Sequence, residues 1–251
     1  MKPLLLIYCF LLPFAGSIAQ VKLHAHNDYE KPQPLVNALH NKVFSVETDV
    51  FPVGKVLAVA HTKEQVDTNI TLDKLYLQPI IKLFQQHHGY ISDDTTYRLA
   101  LMIDIKEKSE TAIPLLIKLI EPWRQYFDRT INKAAVQLIL SGDRGPVEQW
   151  TQYPGYIYFD GRPYENYDAA TLQRVAVVSD NFIKYSFSNF SGDLSRLTSV
   201  INKVHAWNKP LRLWAAPDEE YAWQKLRELG VDIINTDKVG ECNAFLNQKR
   251  F

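Results

Sequence analysis

"VFSVETDV", residues 43–50, decides how this chain folds. An apolar run of strand length closes on Glu47 and Asp49, and the same form recurs along the chain. The other copies are "VKLHAH" (21–26), "LALMIDIK" (99–106), "VQLILSG" (136–142), "YIYFDG" (156–161), "VAVVSD" (175–180), "LRLWAAP" (211–217) and "VDIINTD" (231–237). Segments of helical period fall between most of them, at 33–41, 72–88, 111–127, 146–152, 192–207, 219–229 and 239–248. For 219–229 the sequence offers Asp218 as N-cap and Gly230 as C-terminal stop. Continuous apolar strands alternating with helices read as parallel strands covered on both faces. Eight of them in this length predict an α/β fold, a single (β/α)8 TIM barrel. The link after 156–161 shows no clear helix, so a doubly wound sheet is the alternative.

The first residues stand apart. "MKPLLLIYCFLLPFAGSIAQ" has one basic residue, an apolar run from Leu4 to Phe14, and small residues at Ser17 and Ala19. That is the pattern of a secretory signal peptide. The expected organisation is a signal peptide at 1–19 and one barrel domain at 20–251, with an uncleaved anchor as the alternative. The run is too short for a good membrane span, so no stable membrane anchor is expected after cleavage. Beyond it only Cys242 remains, which excludes an intrachain disulfide. Leader and cysteine usage together predict a bacterial exported protein, periplasmic or secreted. Lys and Arg number 28 against 28 Asp and Glu, with no basic block, so no nucleic-acid partner is expected.

Residues i and i+2 of a strand face the same side. Three strands end in polar pairs at that spacing: His24 with His26, Glu47 with Asp49, and Asp104 with Lys106. Catalytic groups of such barrels gather at the C-terminal ends of the strands. Buried charge without partners is costly, so three neighbouring strands ending this way read as a site, not as core. "FPVGKVLAVAHTKE" then turns at Gly54 and brings His61 back over the barrel mouth. Oxygen ligands Glu47, Asp49 and Asp104 suit one divalent cation, Mg²⁺ or Ca²⁺. Histidines beside it suit proton transfer near neutral pH.

His24-Ala25-His26 also reads as the H-x-H motif of amidohydrolases, a metal pair ending the first strand. That family needs further histidines after its fifth and sixth strands, where this chain has "YFDG" and "VVSD". Asp237 complies at the last strand, but His40, His87, His88 and His205 fall on or beside predicted helices. The ordered set His26, Glu47-x-Asp49, His61 and Asp104-x-Lys106 instead resembles the glycerophosphodiester phosphodiesterase and phosphatidylinositol phospholipase C superfamily. "HNDY" (26–29) and "TLDKLYLQP" (71–79) are similar to the branch named for altered inheritance of mitochondria protein 6. "ETDV" with "IDIK" also looks like the magnesium-dependent sphingomyelinase D barrels. The H-R-G of glycerophosphodiesterases is H-N-D here, and their third acidic ligand is Asp104 in place of Glu.

The resemblance implies a metal-dependent phosphoric diester hydrolase acting on a small-molecule or lipid phosphodiester. Glu47, Asp49 and Asp104 would hold the metal, with His26 and His61 as acid and base and Lys106 beside the phosphate. Asn27, Arg144, Trp214 and Asn235 are the candidate substrate contacts. Asp237 and Asp218 read first as helix N-caps. His24 reads as a supporting or structural histidine. The alternatives are an amidohydrolase-like hydrolase, a barrel that binds phosphate ligands without turnover, and a sugar-active barrel, which would need carboxylates facing each other across a cleft.

Overall fold

The computed structural model describes residues 21–186 and 189–248. Its strands are β1 (Lys22–Ala25), β2 (Ser45–Val53), β3 (Val56–Val59), β4 (Ala100–Ile105), β5 (Gln137–Gly142), β6 (Ile157–Gly161), β7 (Val175–Asn181), β8 (Leu211–Trp214) and β9 (Ile233–Thr236). All except β3 pair in parallel, in the order β1-β9-β8-β7-β6-β5-β4-β2. Pairing of β1 with β2 closes the ring, so the protein is a TIM barrel and the doubly wound alternative falls away. β3 turns back antiparallel on β2 through Gly54 (φ 58°), with Val59 opposite Val50. The returning chain passes beside Asp49 within two residues, which sets His61 at the mouth.

Helices α1 (Val36–His40), α2 (Gln78–Gln86), α3 (Ser109–Ile120), α4 (Arg124–Phe127), α5 (Ala169–Arg174), α6 (Ser195–Ala206), α7 (Glu220–Leu229) and α8 (Val239–Gln248) lie outside the barrel. The expected helix at 72–88 is split. Asp73–Leu77 forms a wide π-turn, and α2 follows with Pro79 near its start, where a missing N–H is tolerated. The expected 111–127 begins earlier, at Ser109, and breaks at Glu121–Trp123 around Pro122. The stretch at 147–152 is a 3₁₀ segment. The link after β6 does contain a helix, α5, whose start is fixed by Asp168 accepting the Thr171 N–H at 2.7 Å.

Two apolar compartments result. The larger lies between strands and helices, with Trp150, Trp223, Phe84, Phe127 and Phe159 fully buried. The smaller fills the bottom of the barrel with Ala100, Met102, Ile139, Val177 and Ile233. Strand alternation makes the next inward positions polar: Asp104 after Met102, Ser141 after Ile139, Ser179 after Val177, Asn235 after Ile233. The barrel is thus plugged by hydrocarbon below and lined by polar groups toward its C-terminal mouth.

Candidate active site

Arg212 stands at the centre of the polar layer, only 4% exposed. Its Nη1 donates to Glu47 Oε2 (2.9 Å) and Asn235 Oδ1 (3.0 Å), its Nε to Ser179 Oγ (2.9 Å), and its Nη2 reaches Asp160 Oδ2 (3.4 Å). Asp160 is also held by Arg162 (2.9 Å) and Ser141 (2.9 Å), and its Oδ1 is buried without a partner. His24 is completely buried on the same layer. Its Nδ1 lies 2.7 Å from Ser45 Oγ and its Nε2 2.6 Å from Glu47 Oε2, with Arg212 Nη1 packed 2.7 Å from that same nitrogen. Burial, reinforced by Arg212, pulls His24 down to about 4, so it is neutral. Burial alone would favour a protonated Glu47, but the His24 hydrogen bond and Arg212 outweigh it and keep the carboxylate charged. His24 therefore locks Glu47 in place, and the metal pair of an H-x-H site is not formed here.

Above this layer the Lys106 ammonium bridges Asp49 Oδ2 (2.7 Å) and Asp104 Oδ2 (2.6 Å). Burial works against its charge, yet the two carboxylates raise its pKa. Asp49 and Asp104 are register partners on β2 and β4, which is why one cation reaches both. Asp104 rests over Gly142 (φ 67°), where a Cβ would come within 2.7 Å of Asp104 Oδ1. Among the described residues no three His, Cys, Asp or Glu side chains converge as a metal cage. Glu47 is committed to Arg212, and Lys106 lies between the other two. Asp49 Oδ1 is nevertheless buried with no hydrogen-bond partner.

The two remaining histidines flank the mouth, and each is held through Nδ1. His26 Nδ1 meets Asp237 Oδ1 at 3.1 Å. Burial lowers the His26 pKa, but Asp237 and then Glu47 overcome it, and the net shift is upward. His61 Nδ1 lies 3.0 Å from the Tyr29 hydroxyl and 3.4 Å from Asp49 Oδ2. Among the described residues neither Nε2 has a hydrogen-bond partner.

Several expectations need correction. Asp237 orients His26 instead of acting as a helix cap. Asp218 does not cap α7, whose N-cap is Glu219; it accepts from Trp223 Nε1 (2.8 Å) and from the Asp237 N–H (2.8 Å), fixing the approach to β9's end. Gly230 does terminate α7 in the left-handed region, at φ 91°. Arg144 binds Glu165 (2.8 Å) and packs on the Trp150 ring, so it is part of the wall and not a free phosphate contact. Trp214 ends β8 partly exposed, Asn235 is tied to Arg212, and Asn27 holds a left-handed turn (φ 46°) beside Tyr29. Arg212, Asp160 and Tyr29 were not among the expected site residues. A two-residue step back from Trp214 and forward from Tyr158 points to Arg212 and Asp160.

The architecture is that of the glycerophosphodiester phosphodiesterase type of TIM barrel. A glycerophosphodiester phosphodiesterase from Parabacteroides distasonis superimposes with a TM-score of 0.62 over 93% of this chain and 99% of its own, at 15% identity. Residues 13–143 match the family model of the AIM6-like phosphodiesterase domain, and the chain belongs to that family. The altered inheritance of mitochondria protein 6 homolog of Arthroderma benhamiae is 23% identical, covering 95% of this chain and 88% of its own length. The protein of that name from Eremothecium gossypii is 25% identical, covering 89% and 69%.

These relatives overturn the expected localisation. They are fungal proteins named for mitochondrial inheritance, whereas leader and cysteine usage pointed to an exported bacterial protein. The expected signal segment at 1–19 lies outside the described residues, and the family match begins within it, at residue 13. No helix among the described residues is long and apolar enough to cross a membrane.

Proposed function

We propose that the protein cleaves a phosphodiester of the glycerophosphodiester or phospholipid kind by histidine acid–base catalysis. The observation that carries this reading is the pair of histidines at the mouth, each hydrogen-bonded through Nδ1 and neither with a partner at Nε2 among the described residues, above a cluster of paired carboxylates. His26 is the acid: its Asp237 partner favours the imidazolium, whose Nε2–H passes to the leaving oxygen as the P–O bond breaks. His61 is the base: its Nε2 takes the proton of the attacking hydroxyl, whose electron pair forms the new P–O bond. The nucleophile is water or a neighbouring hydroxyl of the substrate, the latter giving a cyclic phosphate. Lys106 presents an ammonium to the phosphate oxygens.

Charge in the pocket bears on the metal. The carboxyl groups Glu47, Asp49, Asp104, Asp160 and Asp237 face three side-chain cations, Arg212, Lys106 and Arg162. A phosphodiester adds another negative charge, so its entry calls for a further cation. Carboxylate oxygens are the donors a hard divalent ion takes, and Asp49 Oδ1 is buried without a partner. The three side chains do not converge as they stand, so binding would require Lys106 to leave Asp49 and Asp104 and Glu47 to turn from Arg212. Glu47, Asp49 and Asp104 would hold it, in competition with the Lys106 ammonium. When bound, such an ion neutralises charge on a non-bridging phosphate oxygen.

The test is to incubate the purified protein with Mg²⁺ or Ca²⁺ and glycerophosphodiesters, inositol phospholipids and sphingomyelin, then identify the products by ³¹P NMR. Conversion that stops when a chelator is added and returns with the ion supports the reading. A protein that converts none of these with either ion refutes it.

A further inference from the structure

We infer that Tyr29 is a positioning residue that fixes His61 in the tautomer bearing its proton on Nδ1, leaving Nε2 as the basic atom. This rests on the phosphodiester reading for its catalytic meaning, but the tautomer itself follows from geometry. The Tyr29 hydroxyl has three polar neighbours: Asp49 Oδ2 at 2.7 Å, His61 Nδ1 at 3.0 Å and Asn27 Oδ1 at 3.3 Å. It has a single proton to give. Asp49 is the shortest contact and its carboxylate can only accept, so the hydroxyl donates there. The phenol oxygen is then an acceptor toward His61, and Nδ1 must carry the hydrogen. Asp49 Oδ2, 3.4 Å from the same nitrogen, favours that hydrogen too.

The turn that delivers Tyr29 is built for rigidity. Asn27 takes a left-handed conformation and Asp28–Glu30 form one 3₁₀ turn. Asp28 is buried and its Oδ2 accepts the Leu35 N–H (2.6 Å) and the Tyr76 hydroxyl (2.9 Å). Tyr76 comes from "TLDKLYLQP", so the two motif segments are one structural unit. "HNDY" thereby divides its work: His26 acts on the ligand, Asn27 turns the chain, Asp28 anchors it, and Tyr29 steers the other histidine. Histidine in water prefers its proton on Nε2, the form that cannot take a proton there. Asp49 and Tyr29 reverse that preference, as an acidic partner does in other histidine bases.

The experiment uses the full chain labelled with ¹⁵N-histidine, as wild type and as Tyr29→Phe, at about pH 8, above the ordinary imidazole value of about 6.5. Long-range ¹H–¹⁵N correlations report the tautomer of His61, assigned by its loss in His61→Gln. The wild type is expected to show the Nδ1–H form, and Tyr29→Phe a shift toward Nε2–H. On a phosphodiester that the wild type cleaves, Tyr29→Phe should lower kcat by about 10- to 10²-fold, part of what a general base contributes, with KM changed less than about twofold. An Nε2–H tautomer in the wild type overturns the inference, and this readout does not depend on how the variant folds. An unchanged kcat in a folded Tyr29→Phe overturns it equally. A wild type with the Nδ1–H tautomer that cleaves no phosphodiester supports the tautomer assignment and refutes the catalytic reading.

Discussion

Replacing Arg212 by Met tests the barrel's internal charge balance. The guanidinium neutralises Glu47 and supports Asp160, and the side chains concerned are 5%, 9% and 0% exposed. Met fills a similar volume but leaves Glu47 as a buried carboxylate without its guanidinium, with His24 as its remaining hydrogen-bond partner. Removing one partner of a buried pair costs about 3–5 kcal/mol, because the other charge stays desolvated. Asp160 keeps Arg162, so it adds little. For a chain of this size each kcal/mol is worth about 2–4 °C in melting temperature, giving a fall of roughly 6–20 °C. Thermal unfolding followed by circular dichroism measures it. The second arm is Glu47→Gln in the Arg212→Met background. With the buried charge gone, at least half of the lost stability should return. An Arg212→Met protein melting within about 2 °C of wild type refutes the reasoning, as does a double variant no more stable than the single one.

Asp237→Asn should remove the stronger of the two carboxylate influences that raise the His26 pKa, leaving Glu47. Because the protonated form is the acid, activity falls as pH rises through that pKa. The alkaline limb of the kcat/KM profile should therefore move to lower pH, and an unmoved limb rejects His26 as the acid. His26→Ala should lose about 10²–10⁴-fold on a diester with an alkyl leaving group and much less on an aryl diester, whose leaving group needs no proton. His24 titrates near 6.5 when unfolded and about 4 when folded. Between these values the unfolded chain binds more protons, so stability should drop as pH falls through that window, by up to roughly 3 kcal/mol from this residue. Urea titrations at a series of pH values show the slope, and a flat profile that His24→Gln leaves unchanged counts against a neutral buried His24. Gly142→Ala should cost about 1–3 kcal/mol through its left-handed φ, and it should also displace Asp104. An unaltered melting temperature with full activity contradicts that placement.

The strands and the acid pairs were legible because alternation and apolar run length are local signals. β2 shows it: "SVETDV" alternates Ser45, Glu47 and Asp49 toward the barrel interior with Val46, Thr48 and Val50 on the other face, and "IDIK" at the end of β4 repeats the alternation. The barrel closure could be inferred from the strand count but not from any one residue. α5 was hidden because it has six residues, too few for a helical period to emerge. Asp237 was misread for a different reason. An acid ahead of a helix is an N-cap by local rules, and only the parallel pairing of β9 with β1 brings it to His26.

Arg212 is the instructive omission. In "LRLWAAP" one arginine among apolar residues looks like a flanking charge, since nothing near it in sequence can pair with it. Its partners come from β1, β2, β6, β7 and β9, so the interaction exists only once the ring is closed. Tyr29 differs again: its neighbours Asp49 and His61 lie 20 and 32 residues away, yet all three sit within segments already singled out for chemistry. What was missing there was direction, not proximity. A tyrosine after a catalytic histidine gains meaning only when its hydroxyl is seen to touch the opposite one. The two histidines of this mouth are thus unequal by construction. One is pressed toward the charged form by Asp237, and the other is turned by a neutral hydroxyl whose own proton is held by Asp49.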